Sequence, residues 1–179
     1  MGNAIGMIEL TSIARGIETC DFMLKAAQVD LIRSCTVCPG KYMIIIAGDT
    51  GDVKASMTEG KKRSGEYLVD SLFIPSIHPQ LIPALSAVTQ VPSTKAVGVI
   101  EFYSVASAIN AADVAAKAAQ ITLIEVRIGF AIGGKGFVSL TGEIGAVHTA
   151  IAAAEKSSEL YLQSTVIPKP SPQLFEALQ

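Results

Sequence analysis

The 179-residue chain is poor in the groups that most often carry chemistry. It has two histidines and three cysteines, and only 17% of its residues are charged. His78 precedes a proline and His148 lies in a helical stretch, neither with partners that would suggest zinc or general base work, so both read as structural. No Ser/His/Asp arrangement and no paired carboxylates occur at persuasive spacing, and a catalytic role is not expected. Net charge is −2 and the one basic cluster is Lys61-Lys62-Arg63, which excludes a nucleic-acid footprint. That cluster suits the last turns of a helix, where cations oppose the negative end of the dipole. No run approaches the roughly 20 apolar residues of a spanning helix, so no membrane partner is expected. The N-terminus lacks a signal pattern, and Gly6 stands where myristoylation requires Ser or Thr. Three cysteines do not make a disulfide framework, which points to the cytosol.

Apolar residues, by contrast, are abundant, at 50% of the chain. Small domains have much surface for their volume, so this quantity exceeds what private cores consume and implies extensive subunit interfaces.

The chain is also written twice. Ala4-Ile5-Gly6-Met7-Ile8-Glu9 returns as Ala96-Val97-Gly98-Val99-Ile100-Glu101, and Lys25-Ala26-Ala27-Gln28 as Lys117-Ala118-Ala119-Gln120, both at an offset of 92. Ser12, Ala14 and Asp21 recur as Ser104, Ala106 and Asp113. From Gly40-Lys41, which matches Gly134-Lys135, the offset is 94; Gly48, Gly51 and Val53 match Gly142, Gly145 and Val147. Pro79-Gln80-Leu81 returns as Pro172-Gln173-Leu174. The period is too long for a solenoid unit and marks a duplicated domain, with expected domains at 1–88 and 94–179. Cys35 and Cys38 in the first copy have no counterpart in the second.

Each copy reads strand, helix, strand, strand, helix, strand. In the first, a strand over Ala4–Leu10 is closed by Thr11-Ser12, either of which can cap a helix. Ile13, Ile17, Cys20, Leu24 and Ala27 fall at helical spacing and predict a buried stripe on a helix over Ala14–Ala27. Strands follow at Val29–Val37 and Tyr42–Ala47 around a Pro39-Gly40 turn. Asp49 or Thr50 caps a helix to about Ser64-Gly65, and Tyr67–Ile74 is the fourth strand. The second copy repeats this over Ala96–Phe102, Val105–Ala119, Ile121–Phe130, Phe137–Thr141, Glu143–Ser158 and Tyr161–Ile167, after a linker at Ser86–Lys95. The expected fold class is α+β: two tandem ferredoxin-like βαββαβ domains, each with both helices on one face of an antiparallel sheet and the other face bare. Alanines at 106, 108, 111, 112, 115 and 116 predict close helix-to-sheet approach in the second copy.

Cys38 precedes a Pro-Gly turn, where a side chain can project into an opening. Taken alone, Cys35-x-x-Cys38 is compatible with metal binding or with an ordinary packed thiol. Cys35, three residues back along a strand, should point to the opposite face from Cys38 and reads as a packed thiol. Cys20, on the apolar helix stripe, reads as core. Gly133-Gly134-Lys135-Gly136 is glycine-rich, but it lies between two strands rather than at a strand-to-helix junction, so a nucleotide cradle is not expected. Lys25 and Lys117 each follow an aspartate by four residues, a spacing suited to a surface ion pair.

The blocks Ala4–Glu9, Asp21-x-x-x-Lys25-Ala26-Ala27, Pro39-Gly40-Lys41 and Gly48-Asp49-x-Gly51-x-Val53 resemble the bacterial microcompartment shell-protein domain, once in each half of the chain. The unpermuted tandem, with Cys38-Pro39-Gly40-Lys41 in the first copy only, resembles the T-type shell subunits of propanediol-utilisation microcompartments. The resemblance implies a pseudohexameric homotrimer in the shell of a cytoplasmic microcompartment. It implies a [4Fe–4S] cluster, one per trimer, held by Cys38 of each subunit on the three-fold axis and serving electron transfer across the shell. Such a ring takes three chains, and a residue unique to one copy is then presented three times. Three thiolates match three corners of a cubane. Pro39, Gly40, Gly133, Gly134 and Lys135 would line the central opening, and Lys25 and Lys117 the tile edge. Other shell proteins and encapsulated redox enzymes are the implied partners. Two alternatives stay open: a metabolite-conducting shell pore without a cluster, and a soluble ligand-binding module on the same fold.

Overall fold

The computed structural model describes residues 2–91 and 95–178. Part of the expected linker, residues 92–94, lies outside the described residues. The chain forms two compact units, Met1–Ile77 and His78–Gln179.

The first unit runs β1 (Ala4–Leu10), α1 (Ile13–Ala26), β2 (Val29–Val37), β3 (Lys41–Gly48), α2 (Thr50–Ser64) and β4 (Leu68–Ile74), with a 3₁₀ turn at Gly65–Tyr67. The second opens with a short helix, α3 (Leu81–Leu85), and repeats the order as β5 (Ala96–Phe102), α4 (Val105–Ala118), β6 (Ile121–Ile128), β7 (Gly136–Gly142), α5 (Ile144–Glu155) and β8 (Tyr161–Pro168). It closes with α6 (Pro172–Ala177). The sheets are antiparallel, ordered β2-β3-β1-β4 and β6-β7-β5-β8, which is two interleaved split βαβ units per domain and the α+β class expected.

Register repeats with the sequence. Val29 faces Gly48 and Leu31 faces Ile46; their equivalents Ile121 and Leu123 face Gly142 and Leu140. A register shift follows at the same place in each, between Leu31 and Arg33 and between Leu123 and Glu125. The core of the first unit sets Ala4, Ile8, Leu10, Tyr42, Ile44 and Ile46 of the sheet against Cys20, Met23, Val53 and Met57 of the two helices, which places both helices on one face. Ser12 caps α1 by accepting from the Arg15 N–H at 3.2 Å, and Ser104 does the same for α4 with Ser107 at 3.3 Å. Asp49 holds the cap position of α2 without a side-chain bond, and the Thr50 hydroxyl turns instead to the Pro75 carbonyl at 3.0 Å. Lys61, Lys62 and Arg63 occupy the last turn of α2, as their charge predicts.

Three expectations are corrected. The far face of the first sheet is not bare along its central strands, since Ile5, Met7, Met43 and Ile45 are fully buried; exposure falls instead on the flanking strands β2 and β4. The buried stripe of α1 consists of Gly16, Thr19, Cys20 and Met23, whereas Ile13, Ile17 and Leu24 are exposed. The helix turns its small residues inward because Tyr42 fills the space: a Cβ on Gly16 would lie 2.6 Å from the Tyr42 Cβ. Finally, β6 ends at Ile128 rather than Phe130, because Gly129 takes a positive φ of 68° and ends the extended path.

Candidate functional site

The β2–β3 turn of the first unit is three residues, Cys38-Pro39-Gly40, with a cis Cys38–Pro39 peptide and Gly40 at φ 81°. Cys38 is thus one residue beyond the ladder. Strand alternation no longer sets its direction, and the expected opposition to Cys35 does not apply. It is a free, half-buried thiol. Cys35 lies within β2 opposite Met43, on the sheet face away from the helices. Burial pushes its thiol above the ordinary range, and the Arg33 charge offsets only part of that rise. Cys20 is buried in the core, as expected. Among the described residues, no group of three or more His, Cys, Asp or Glu side chains converges within one chain.

The equivalent connection in the second unit, residues 129–135, is longer and absorbs the change of offset from 92 to 94. Gly129, Ala131, Gly133 and Gly134 all have positive φ. Gly133, Gly134 and Lys135 lie in the connection between β6 and β7, the hairpin position expected for them. Counted at an offset of 92, Phe130 is the equivalent of Cys38, and it is 75% exposed.

A repeated ion pair braces the base of each turn, and sequence reasoning missed it. Lys41 Nζ meets Glu9 Oε1 at 2.6 Å, with Glu9 only 3% exposed. Lys135 Nζ meets Glu101 Oε2 at 2.9 Å, where both side chains are more open. The signal was present: Glu9/Glu101 and Lys41/Lys135 each recur across the repeat. Lys135 is therefore already engaged by its own unit.

Lys25 pairs with Asp21 at 2.5 Å on an exposed helix face. Lys117 pairs with Asp113, but here the aspartate is buried and also accepts the His78 N–H at 2.6 Å. His78 Nδ1 accepts from the Gln80 N–H at 3.4 Å, and His148 is exposed on α5. The Gln80 side chain in turn binds the outer edge of β6, its Nε2 donating to the Ile121 carbonyl at 3.0 Å and its Oε1 accepting from the Leu123 N–H at 2.7 Å.

Comparison with known proteins agrees with this doubled architecture. The BMC domain model matches residues 4–77 and again 96–170. The bacterial microcompartment shell protein PduT of Citrobacter freundii is 41% identical over 181 residues, covering 99% of this chain and 98% of that protein. A microcompartment protein from Desulfitobacterium hafniense, solved by crystallography, superposes with a TM-score of 0.93 at 45% identity, covering 98% of this chain and 99% of that one. The carboxysome shell protein CsoS1 of Prochlorococcus marinus is 39% identical over 88 residues, 48% of this chain and 85% of its own length, as expected if one relative domain corresponds to half of a tandem. With two matched domains whose strand order, register and braced turns repeat, the chain belongs to the BMC domain family, as a tandem-domain bacterial microcompartment shell protein.

Proposed function

We propose that the protein is a structural facet subunit of a microcompartment shell, a homotrimer in which Cys38 of each of three chains holds one [4Fe–4S] cluster on the three-fold axis. The observation that carries this reading is the asymmetry of the two turns. One copy offers a free thiol just outside a strand, and the other offers Phe130 at the equivalent position. The donor set fits the group. Cluster iron takes cysteine sulfur, and one available thiol per chain supplies three of the four iron corners only if three chains contribute. Cys35 is the poorer donor, because burial favours its protonated form and a ligand must be a thiolate.

When bound, the cluster would supply one-electron transfer between the two sides of the shell. The chain's own residues would do the rest. The Lys41–Glu9 pair braces the turn that presents Cys38. Pro39, Gly40, Gly133, Gly134 and Lys135 would line what remains of the opening. Lys25 and Lys117 would lie along the tile edge, toward other shell proteins, with redox enzymes of the lumen as electron partners.

Anaerobic purification with iron and sulfide counting tests the reading. Wild-type protein should be a brown trimer with one cluster per trimer, and Cys38→Ser should be a folded, colourless trimer. Full iron in Cys38→Ser would remove the assignment; a colourless wild-type trimer would leave the open metabolite pore in its place.

A further inference from the structure

The first unit holds an open cleft between the start of α1 and the 3₁₀ turn that follows α2. Its volume is about 480 Å³, and Arg15, Lys62, Arg63, Glu66 and Tyr67 stand in its walls. A neighbouring hollow of about 310 Å³ shares Arg15 and Tyr67 with it and adds Ser12 and Glu18. Cavities of this size take small molecules. None of these side chains belongs to the turn that presents Cys38.

The side chains there are only partly committed to one another. Arg15 stands over the Tyr67 ring, 5.9 Å from its centre, and gives Nη1 to Glu18. A guanidinium has five N–H donors, so others remain for a ligand. Arg63 is more fully engaged, with Nε on Glu59 at 2.6 Å and its guanidinium 3.7 Å from the centre of the Phe22 ring. Lys62 approaches Glu59 no closer than 4.0 Å and its side chain is 75% exposed. Among the described residues the Tyr67 hydroxyl has no hydrogen-bond partner. Glu18 and Glu59 each neutralise one arginine, so the excess positive charge lies on Lys62, with exposed Lys61 beside it, against the single carboxylate of Glu66.

The same place in the second unit is bonded shut and has lost its arginines. The Thr11 N–H bonds the Tyr67 carbonyl at 2.9 Å and the Tyr103 N–H bonds the Leu160 carbonyl at 2.9 Å, so Leu160 holds the place of Tyr67. Arg15 and Arg63 correspond to Ser107 and Ser157. There the Ser107 and Ser158 hydroxyls meet at 2.8 Å, and the Asn110 amide donates to the Ser157 carbonyl at 3.4 Å, which ties α4 to the end of α5. Helix α5 has no basic residue in its last turn, so the fold does not require cations at this point to offset a helix dipole. One copy closes the gap with its own hydroxyls, and the other leaves it open beside two arginines, a lysine and a tyrosine.

We propose that this cleft of the first unit binds a phosphate monoester of nucleotide size. The phosphate takes the Lys62 ammonium and the remaining N–H groups of Arg15, and the flat ring of the ligand rests against Tyr67. Glu66 opposes the phosphate and keeps the affinity moderate. Each chain carries one such site, since the second unit lacks the arginines and the tyrosine. The site is independent of both the assembly and the cluster of the proposed function.

Calorimetric titration of the full-length protein with adenosine monophosphate, adenosine and inorganic phosphate tests the site. The monophosphate should bind once per chain with a dissociation constant below about 1 mM, at least about ten-fold tighter than adenosine or phosphate alone. Arg15→Ser and Tyr67→Leu place the second unit's own residues in the cleft, and each should weaken binding by about ten-fold, as should Lys62→Ala. Glu66→Gln should tighten it by roughly three-fold, a gain that a merely destabilised protein would not show. Lys54→Ala, which removes an exposed cation of α2 outside the cleft, should leave it unchanged. No binding of the monophosphate below about 1 mM would overturn the proposal. Equal affinity for inorganic phosphate would overturn the ligand class, and binding that survives the three weakening variants would overturn the site.

Discussion

Helices α1 and α4 hold the same place in two copies of one domain, start from the same serine cap and carry the same Asp–Lys pair. The first buries four of its residues and the second buries nine. Intrinsic amphipathicity does not explain the difference. Ile13, Ile17 and Leu24 in α1 correspond to Val105, Ile109 and Ala116 in α4, apolar at every position, yet the first set is exposed and the second buried. In the second unit, α3 packs on α4 and the neighbouring β6; no equivalent segment lies on α1 among the described residues. An apolar stripe at helical spacing therefore marks a surface that something covers, and the same pattern serves a private core in one copy and an unpartnered face in the other.

The sharpest way to break the comparison is to put the same charge into the two tails. Leu81→Glu would bury a carboxylate with no partner and should cost the second unit about 3 kcal/mol or more, read as a lower urea midpoint. Leu174→Glu, in the equivalent but exposed tail, should change the stability of the isolated chain by no more than about 0.5 kcal/mol. Equal losses would mean that the two tails are equally docked.

The braced turns allow a second contrast. Lys41→Ala strands a nearly fully buried Glu9 carboxylate and should cost about 2 kcal/mol, whereas Lys135→Ala frees a Glu101 that water can reach and should cost about 0.5 kcal/mol or less. Thermal unfolding of the two variants side by side measures the difference, and a reversal of the order would show that burial is not what sets the strength of these pairs.

The smallest effect concerns how each helix approaches its sheet. In the first unit Gly16 of α1 faces Tyr42 of β3; in the second, the equivalent positions are Ala108 of α4 and Gly136 of β7, so bulk and glycine have changed sides. Gly16→Ala should cost about 1–2 kcal/mol, since its Cβ would meet Tyr42 atoms near the backbone. Combining it with Tyr42→Gly recreates the pattern of the second unit, and the double variant should lose less than the sum of the singles. Strict additivity in denaturant unfolding would show that the two sites do not share one space.

Much of the fold was legible because a period-two run and a period-3.6 run are local signals, and duplication let each copy check the other. Strand and helix order, the Ser12 and Ser104 caps, the basic end of α2 and the hairpin nature of residues 129–135 all follow from residues near one another in the chain. The site was legible in part. Cys38 was visible as an asymmetry beside a turn, but the Glu9–Lys41 brace joins residues on different strands and needed the register to be seen.

By itself, then, the sequence determined that there are two βαββαβ domains, which residues recur between them, and where one copy carries a thiol that the other lacks. Only the tertiary structure decided which face of α1 turns inward and that residues 78–85 fold with the domain after them rather than the one they follow. Those outcomes depend on which surface is already occupied, by Tyr42 against α1 or by α3 against α4 and β6. Occupancy is a property of groups brought together in space, and local periodicity does not contain it.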